Sequence, residues 1–175
     1  MTEKRVVLGV GAHADDVEFN MGGTLSLLVK AGFEPHIMTI AECDPGSNEM
    51  PPERIARIRD QEARRSAGVI GAVYHPAIVP DIMIFYEDKL LRKVAAVVRE
   101  VEPTIVILPS LNDYMEDHMN TARLVVTACF VRGMQNYVTD PPRSMTSRDV
   151  YRYHAQPYAN RDGMRQFVTP ELFVD

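Results

Sequence analysis

Val6-Val7-Leu8-Gly9-Val10-Gly11, followed directly by Ala12-His13-Ala14-Asp15-Asp16, decides the fold of this chain. The run is apolar and largely β-branched, so it reads as a central parallel strand covered on both faces. It ends in an imidazole and two carboxylates, and the carboxyl end of a strand is where an open α/β sheet places its chemistry. A histidine and an aspartate three residues apart can both reach one divalent ion, leaving the aspartate between them to handle a water molecule. The first expectation is a zinc hydrolase.

Beyond this strand, residues 22–31 read as a helix, with Leu25, Leu27 and Leu28 apolar and Gly32 as its stop. Residues 36–41 read as a second strand and 42–52 as a polar loop beside the end of the first. A long amphipathic helix is expected over 53–70, with Ile55, Ile58, Glu62, Arg65 and Val69 spread around it. A short strand is expected over 72–80. The next helix, 88–100, has an inner stripe of Leu90, Leu91, Val94, Val97 and Val98, and Pro103 separates it from a strand over 104–109. Residues 119–132 continue as a helix, residues 150–153 are a short extended piece, and Glu171-Leu172-Phe173-Val174-Asp175 reads as a strand in progress. Strands alternating with helices of these lengths predict an α/β fold with a mainly parallel sheet.

With 175 residues, 46% hydrophobic and 25% charged, the chain suits a single domain spanning 1–175. The formal charge of -5, with basic residues scattered among acidic ones, offers no positive stripe for nucleic-acid phosphates. No apolar run approaches the roughly 18 residues of a membrane span. The amino-terminal residues lead straight into the first strand without an apolar signal segment, so a cytoplasmic location is expected. Cys43 lies in a polar loop and Cys129 in an apolar helical run; two free thiols are expected, with a disulfide as the alternative.

A second acidic loop, Ser110-Leu111-Asn112-Asp113-Tyr114-Met115-Glu116-Asp117-His118, follows the 104–109 strand as His13 follows the first. Ends of parallel strands meet along one edge of the sheet. A catalytic zinc (Zn2+) site needs about three nitrogen or oxygen ligands and one open position for water. His13, Asp16 and His118 supply that set, and Asp15 is left to take the proton of the water. The same donors would also accept iron, cobalt or manganese. In the competing reading, Asp15 or Asp16 caps the following helix and His13 fills a loop.

These residues resemble the PIG-L or LmbE-like family of zinc-dependent N-acetylglucosaminyl deacetylases. The resemblance rests on Ala12 to Glu18 with Gly22-Gly23-Thr24-Leu25, on Pro109 to His118, and on Arg59-Asp60-Gln61-Glu62-Ala63 running to Gly68-Val69-Ile70-Gly71. It implies a Rossmann-like α/β/α sandwich, zinc bound by His13, Asp16 and His118, and Asp15 as general base of amide hydrolysis. It also implies that Arg59 and Asp81 lie near an N-acetylated, sugar-containing small molecule, and that the chain forms a homo-oligomer. Where the family's second loop has its first histidine, thought to hold the oxyanion or protonate the leaving amine, this chain has Met115, which has no proton to give. Tyr114 and His154 are the candidates to replace it.

The leading expectation is therefore removal of an acetyl group from an N-acetylated amino sugar or conjugate. The alternative is a metal- or ligand-binding relative with little activity, motivated by Met115. A dinucleotide-binding domain is disfavoured, because Gly9-Val10-Gly11 lacks the GxGxxG register and Asp15-Asp16 would repel a pyrophosphate. Tyr74, Tyr86, Tyr114, Tyr158 and the loop 44–52 are further candidates to line a sugar pocket. In family members the chain continues beyond a segment like 167–175, so a truncated carboxyl terminus with an exposed apolar surface is expected here.

Overall fold

The structure, a computed structural model, describes residues 4–45, 48–155 and 161–174. Five strands form one parallel sheet in the order β3-β2-β1-β4-β5: β1 (Val6–Gly11), β2 (Glu34–Thr39), β3 (Val73–His75), β4 (Ile105–Leu108) and β5 (Tyr151–His154). All six residues of β1 are buried, as its unbroken apolar run requires. Val6, Leu8 and Val10 enter the larger core under α3 (Asp88–Val101) and α4 (Glu116–Val131). Val7 points the other way, into a core shared with α1 (Asp16–Lys30) and α2 (Pro52–Val69). Helices therefore cover both faces, giving the α/β/α sandwich that the alternation of elements predicts.

Several boundaries differ from those expected. α1 begins at Asp16, not at residue 22, so Gly22 and Gly23 lie inside it. Val17, Met21 and Leu25, at four-residue spacing, bury one stripe against β1, and this packing outweighs the roughly 1 kcal/mol cost of a helical glycine. α4 likewise starts at Glu116 rather than 119, placing Glu116 and Asp117 in its first turn, where carboxylates suit the helix dipole. The 72–80 strand shrinks to β3, with only an isolated bridge from Val79 to Ala41 beyond it. On α2 the buried residues are Ile55, Ala63 and Ala67, while Val69 is exposed. Residues 171–174 form no strand.

Both cysteines are free, as expected, and both are buried, Cys43 within its polar loop as well as Cys129 in its helix. The positive φ of Cys43, 56°, turns the residue inward at the end of β2, where its sulfur receives the Ala14 amide at 3.4 Å.

Arg99, buried on α3, ties α3 to the far end of α4. Its guanidinium donates to the carbonyls of Val131, Arg132, Met134 and Arg143 at 2.8–3.1 Å. Arg99→Met would leave these acceptors without their donor, and it is expected to lower unfolding free energy by about 1–3 kcal/mol. A shift of the urea midpoint at unchanged slope would show this.

Candidate active site

The sheet order reverses direction between β1 and β4, with β2 following on one side and β4 on the other. The crevice at the carboxyl ends of those two strands is the standard ligand position of an open α/β sheet. His13 follows β1, Cys43 follows β2, Asp81 follows β3, and the loop carrying Asp113, Asp117 and His118 follows β4. Gly11 permits the closest approach here. A Cβ at that position would lie 2.8 Å from the Asp16 Cβ, so only glycine lets the first turn of α1 fold back onto the strand end.

Asp16 does not cap its own helix. Its Oδ2 accepts the backbone amides of Ala12 and His13 at 2.8 and 2.9 Å, which fixes the loop that carries His13. Its Oδ1 lies 3.3 Å from His118 Nε2. One donor atom each from His13, Asp16 and His118 falls within 4.8 Å of the others, so the structure brings together the three residues expected as ligands. The His118 Nε2 is buried and makes no hydrogen bond, although Asp16 Oδ1 lies 3.3 Å away. A buried, unpartnered imidazole nitrogen facing a carboxylate and a second imidazole fits a divalent cation, and the donors are of the type such an ion takes.

A second ring of acids surrounds this group. His13 Nε2 lies 3.2 Å from Asp81 Oδ1 and 3.3 Å from Asp117 Oδ2, forming an overlapping donor group of His13, Asp81 and Asp117. Asp113 Oδ2 lies 3.2 Å from His118 Nδ1, a position that favours the proton on Nδ1 and the lone pair on Nε2. Asp113 is itself braced by the segment 161–167. Gly163 bridges to Asp113 so closely that a Cβ there would sit 2.1 Å from Asp113 Oδ2, and Asp162 accepts the Asn112 side-chain amide. Asp113→Ala is expected to weaken metal affinity by about 10–100-fold, measured by competition with a chromophoric chelator.

Burial alone would lower the His118 pKa, but the carboxylates of Asp16 and then Asp113 outweigh it and raise the group to about 9. Burial would raise Asp16, but His118 and the His13 backbone hold it below the usual carboxylate range. Without an ion, folding thus favours protonated His118. That stabilisation is complete below its ordinary value of 6.5 and is lost as pH rises through about 9. Chelator-treated protein should therefore lose more of its thermal midpoint between pH 6.5 and 9.5 than a His118→Gln variant does.

The cleft above this group has a volume of about 780 Å³, and His13, Asp15, Arg59, Asp81, Glu116, Asp117 and Asn120 supply its polar lining. Asp15, with a side chain 51% exposed, faces the cleft and lies 3.2 Å from the Arg59 guanidinium, which reaches it from α2. Arg59 also pairs with Glu62 at 2.9 Å, so the functional position and the helix-surface ion pair coexist. Met115 lines the cleft, at the position where the resemblance puts the family's first histidine; Cys43 and Asn120 line it too, and nothing in their local sequence marks them. Asp117 and Asp113 were visible as acids, but not their direction toward the two histidines.

Two residues expected near the substrate do not line this cleft. Tyr114 lines a separate cavity of about 220 Å³ that shares Asp16 and His118, and its side chain turns to the surface because β-like backbone at Met115 sends residue 115, not 114, into the cleft. His154, at the end of β5, has its Nδ1 2.7 Å from the Pro109 carbonyl, outside the cleft lining. Tyr74 lines a third cavity, and the Tyr86 hydroxyl meets Thr127 at 3.0 Å. Tyr158 lies outside the described residues.

Among known proteins, the chain is 26% identical over 144 residues to a 4-oxalmesaconate hydratase of Pseudomonas putida KT2440, covering 78% of this chain and 56% of that one. It therefore spans little more than half the length of that relative. The structure matches the 4-carboxy-2-hydroxymuconate hydratase of Pseudomonas putida KT2440 with a TM-score of 0.73 at 24% identity, over 85% of this chain and 65% of the other. It matches the N,N'-diacetylchitobiose deacetylase of Pyrococcus horikoshii with a TM-score of 0.77 at 19% identity, over 91% and 63%. These structures share its fold. Among the described residues, no helix is long and apolar enough to cross a membrane. The sequence profile of the PIG-L family, described as GlcNAc-PI de-N-acetylase, matches residues 8–129, and the chain belongs to that family.

Proposed function

We propose that this protein hydrolyses the amide of a neutral N-acetylated amine, an amino sugar or a conjugate of one, releasing acetate and the free amine. The observation that carries this reading is the cleft itself: a half-exposed aspartate, Asp15, shares one lining with His13 of the two-histidine, one-aspartate donor group. Zinc is the ion this set suits, with iron, cobalt and manganese as competitors. When bound, the ion supplies Lewis-acid polarisation of an oxygen. Asp15 takes the proton of the attacking water as general base. Arg59 holds the Asp15 carboxylate in place and offers its remaining donors to substrate oxygens, and Asp81 faces the same space. Since neither Tyr114 nor His154 lines the cleft and Met115 has no proton, Asp15 also returns its proton to the leaving nitrogen, so amide plus water yields acid plus amine.

A second reading is hydration of an activated double bond, which needs no leaving amine and so suits Met115. The hydratase relatives act, by their names, on carboxylated compounds. The charge of the cleft favours the amide reading: Asp15, Asp81, Glu116 and Asp117 face one guanidinium, Arg59, a lining poorly matched to a polycarboxylate. Acetate release from a panel of N-acetylglucosaminides by metal-loaded protein, at rates above those of His118→Ala, would support the proposal. Hydration of a conjugated hydroxydicarboxylate without any acetate release would replace it with the second reading. Ion binding without either reaction would make the chain a binding relative.

A further inference from the structure

The loop 80–87 between β3 and α3 shows large apolar side chains to the cleft, and hydrogen bonds from the site hold its backbone. Ile82 is 69% exposed and Phe85 49% exposed, and both line the cleft with Ile55, Ile84 and Met115. Ile82 adopts a φ of 64°, a left-handed conformation that a β-branched residue avoids unless its surroundings enforce it. Here they do. Its amide lies 2.8 Å from Asp81 Oδ1 and 3.1 Å from Asp117 Oδ2, the Asp81 amide donates to Asp44 Oδ1 at 2.7 Å, and Asn120 donates to the Ile84 carbonyl at 2.8 Å. The loop is thus tied at three points to the acids and amide of the site, and the strain is held at its rim.

We infer that the substrate carries an alkyl or aryl group close to its scissile amide, received by the apolar lining of Ile82, Phe85 and Met115. This rests on the deacetylase reading and names its substrate class. A free acetamido sugar offers only its acetyl methyl and the C–H faces of its ring, too little apolar surface to cover Ile82 and Phe85 together, whereas a larger apolar substituent covers them. Met115 lines the same cleft, and its flexible thioether adapts to varied shapes. A cleft of about 780 Å³ lies within the size range of sites that enclose drug-sized, largely apolar ligands.

The apolar group can sit on the amine side or the acyl side, and two substrate series separate these. Methyl and hexyl glycosides of N-acetylglucosamine vary the amine side; methyl glycosides of N-acetyl- and N-hexanoylglucosamine vary the acyl side. In one series the longer compound should show a kcat/KM about tenfold higher, the scale of discrimination that buried methylenes supply. That ratio should fall toward one in Phe85→Ser and in Ile82→Asn, the latter chosen because asparagine tolerates a positive φ. A kcat/KM independent of chain length in both series would overturn the inference. If metal-loaded protein cleaves none of the compounds, the deacetylase reading fails, and calorimetric binding of the same compounds then decides the inference separately. Tighter binding of a longer member, lost in Phe85→Ser, supports it; equal affinities overturn it.

Discussion

Asp15→Asn is expected to lower turnover by about 10²–10⁴-fold, the contribution of one well-placed general base, while metal content stays at the wild-type level. The two halves of this expectation come from different parts of the structure. Asp15 faces the cleft with its carboxylate half exposed, and among the described residues Arg59 is the side chain that pairs with it, so removing its charge disturbs no buried network of theirs. Asp16, one residue on, is the aspartate tied to the loop amides and to His118. The amide of an asparagine at position 15 still fits beside Arg59 but cannot accept the proton of a water. A variant that keeps full activity would remove Asp15 from the mechanism, and one that loses its metal would show that the two aspartates have exchanged roles.

His118→Ala is expected to abolish both metal binding and turnover. Its imidazole is one of two nitrogen donors in the group, and its Nε2 is the buried atom without a hydrogen bond. Losing it leaves Asp16 with His13 alone, two donors where a catalytic zinc site uses about three from the protein. The variant should nevertheless fold. His118 belongs to neither hydrophobic core, so its removal opens no apolar cavity; it leaves the Asp16 and Asp113 carboxylates without their partner, which lowers stability without dismantling the packed core. Far-UV circular dichroism at the wild-type level would confirm that the loss is local.

The centre of the sheet was legible because β1 and β4 are near-continuous apolar runs, and Val6 to Gly11 could hardly be read otherwise. The clustering of the candidate donors was legible for a related reason. Residues that follow strands β1 and β4 are brought together by adjacency in a parallel sheet, so two short motifs far apart in sequence suffice to predict that His13, Asp16 and His118 converge. Hidden from the sequence were features set by packing or by backbone direction. The start of α1 was obscured by Gly22-Gly23, a pair that reads as a break until Val17, Met21 and Leu25 are seen packed on the sheet. The inward turn of Cys43 depends on a positive φ within a polar loop. The pairing of Arg59 with Asp15 joins residues 44 positions apart through the placement of α2, which no local pattern encodes. Tyr114 and Met115 show the same limit: adjacent side chains in an extended segment point apart, and only the structure shows that the methionine takes the cleft.

The measurement that bears most directly on this account is metal content by elemental analysis of wild type and His118→Ala, each purified without chelating tags and then titrated with zinc. About one ion per wild-type chain and none retained by the variant is the result expected for three protein ligands at one site. A wild-type protein that is metal-free and binds no added zinc, iron, cobalt or manganese would contradict the account, because the buried histidine nitrogen and its neighbouring carboxylates would then have no ion to hold.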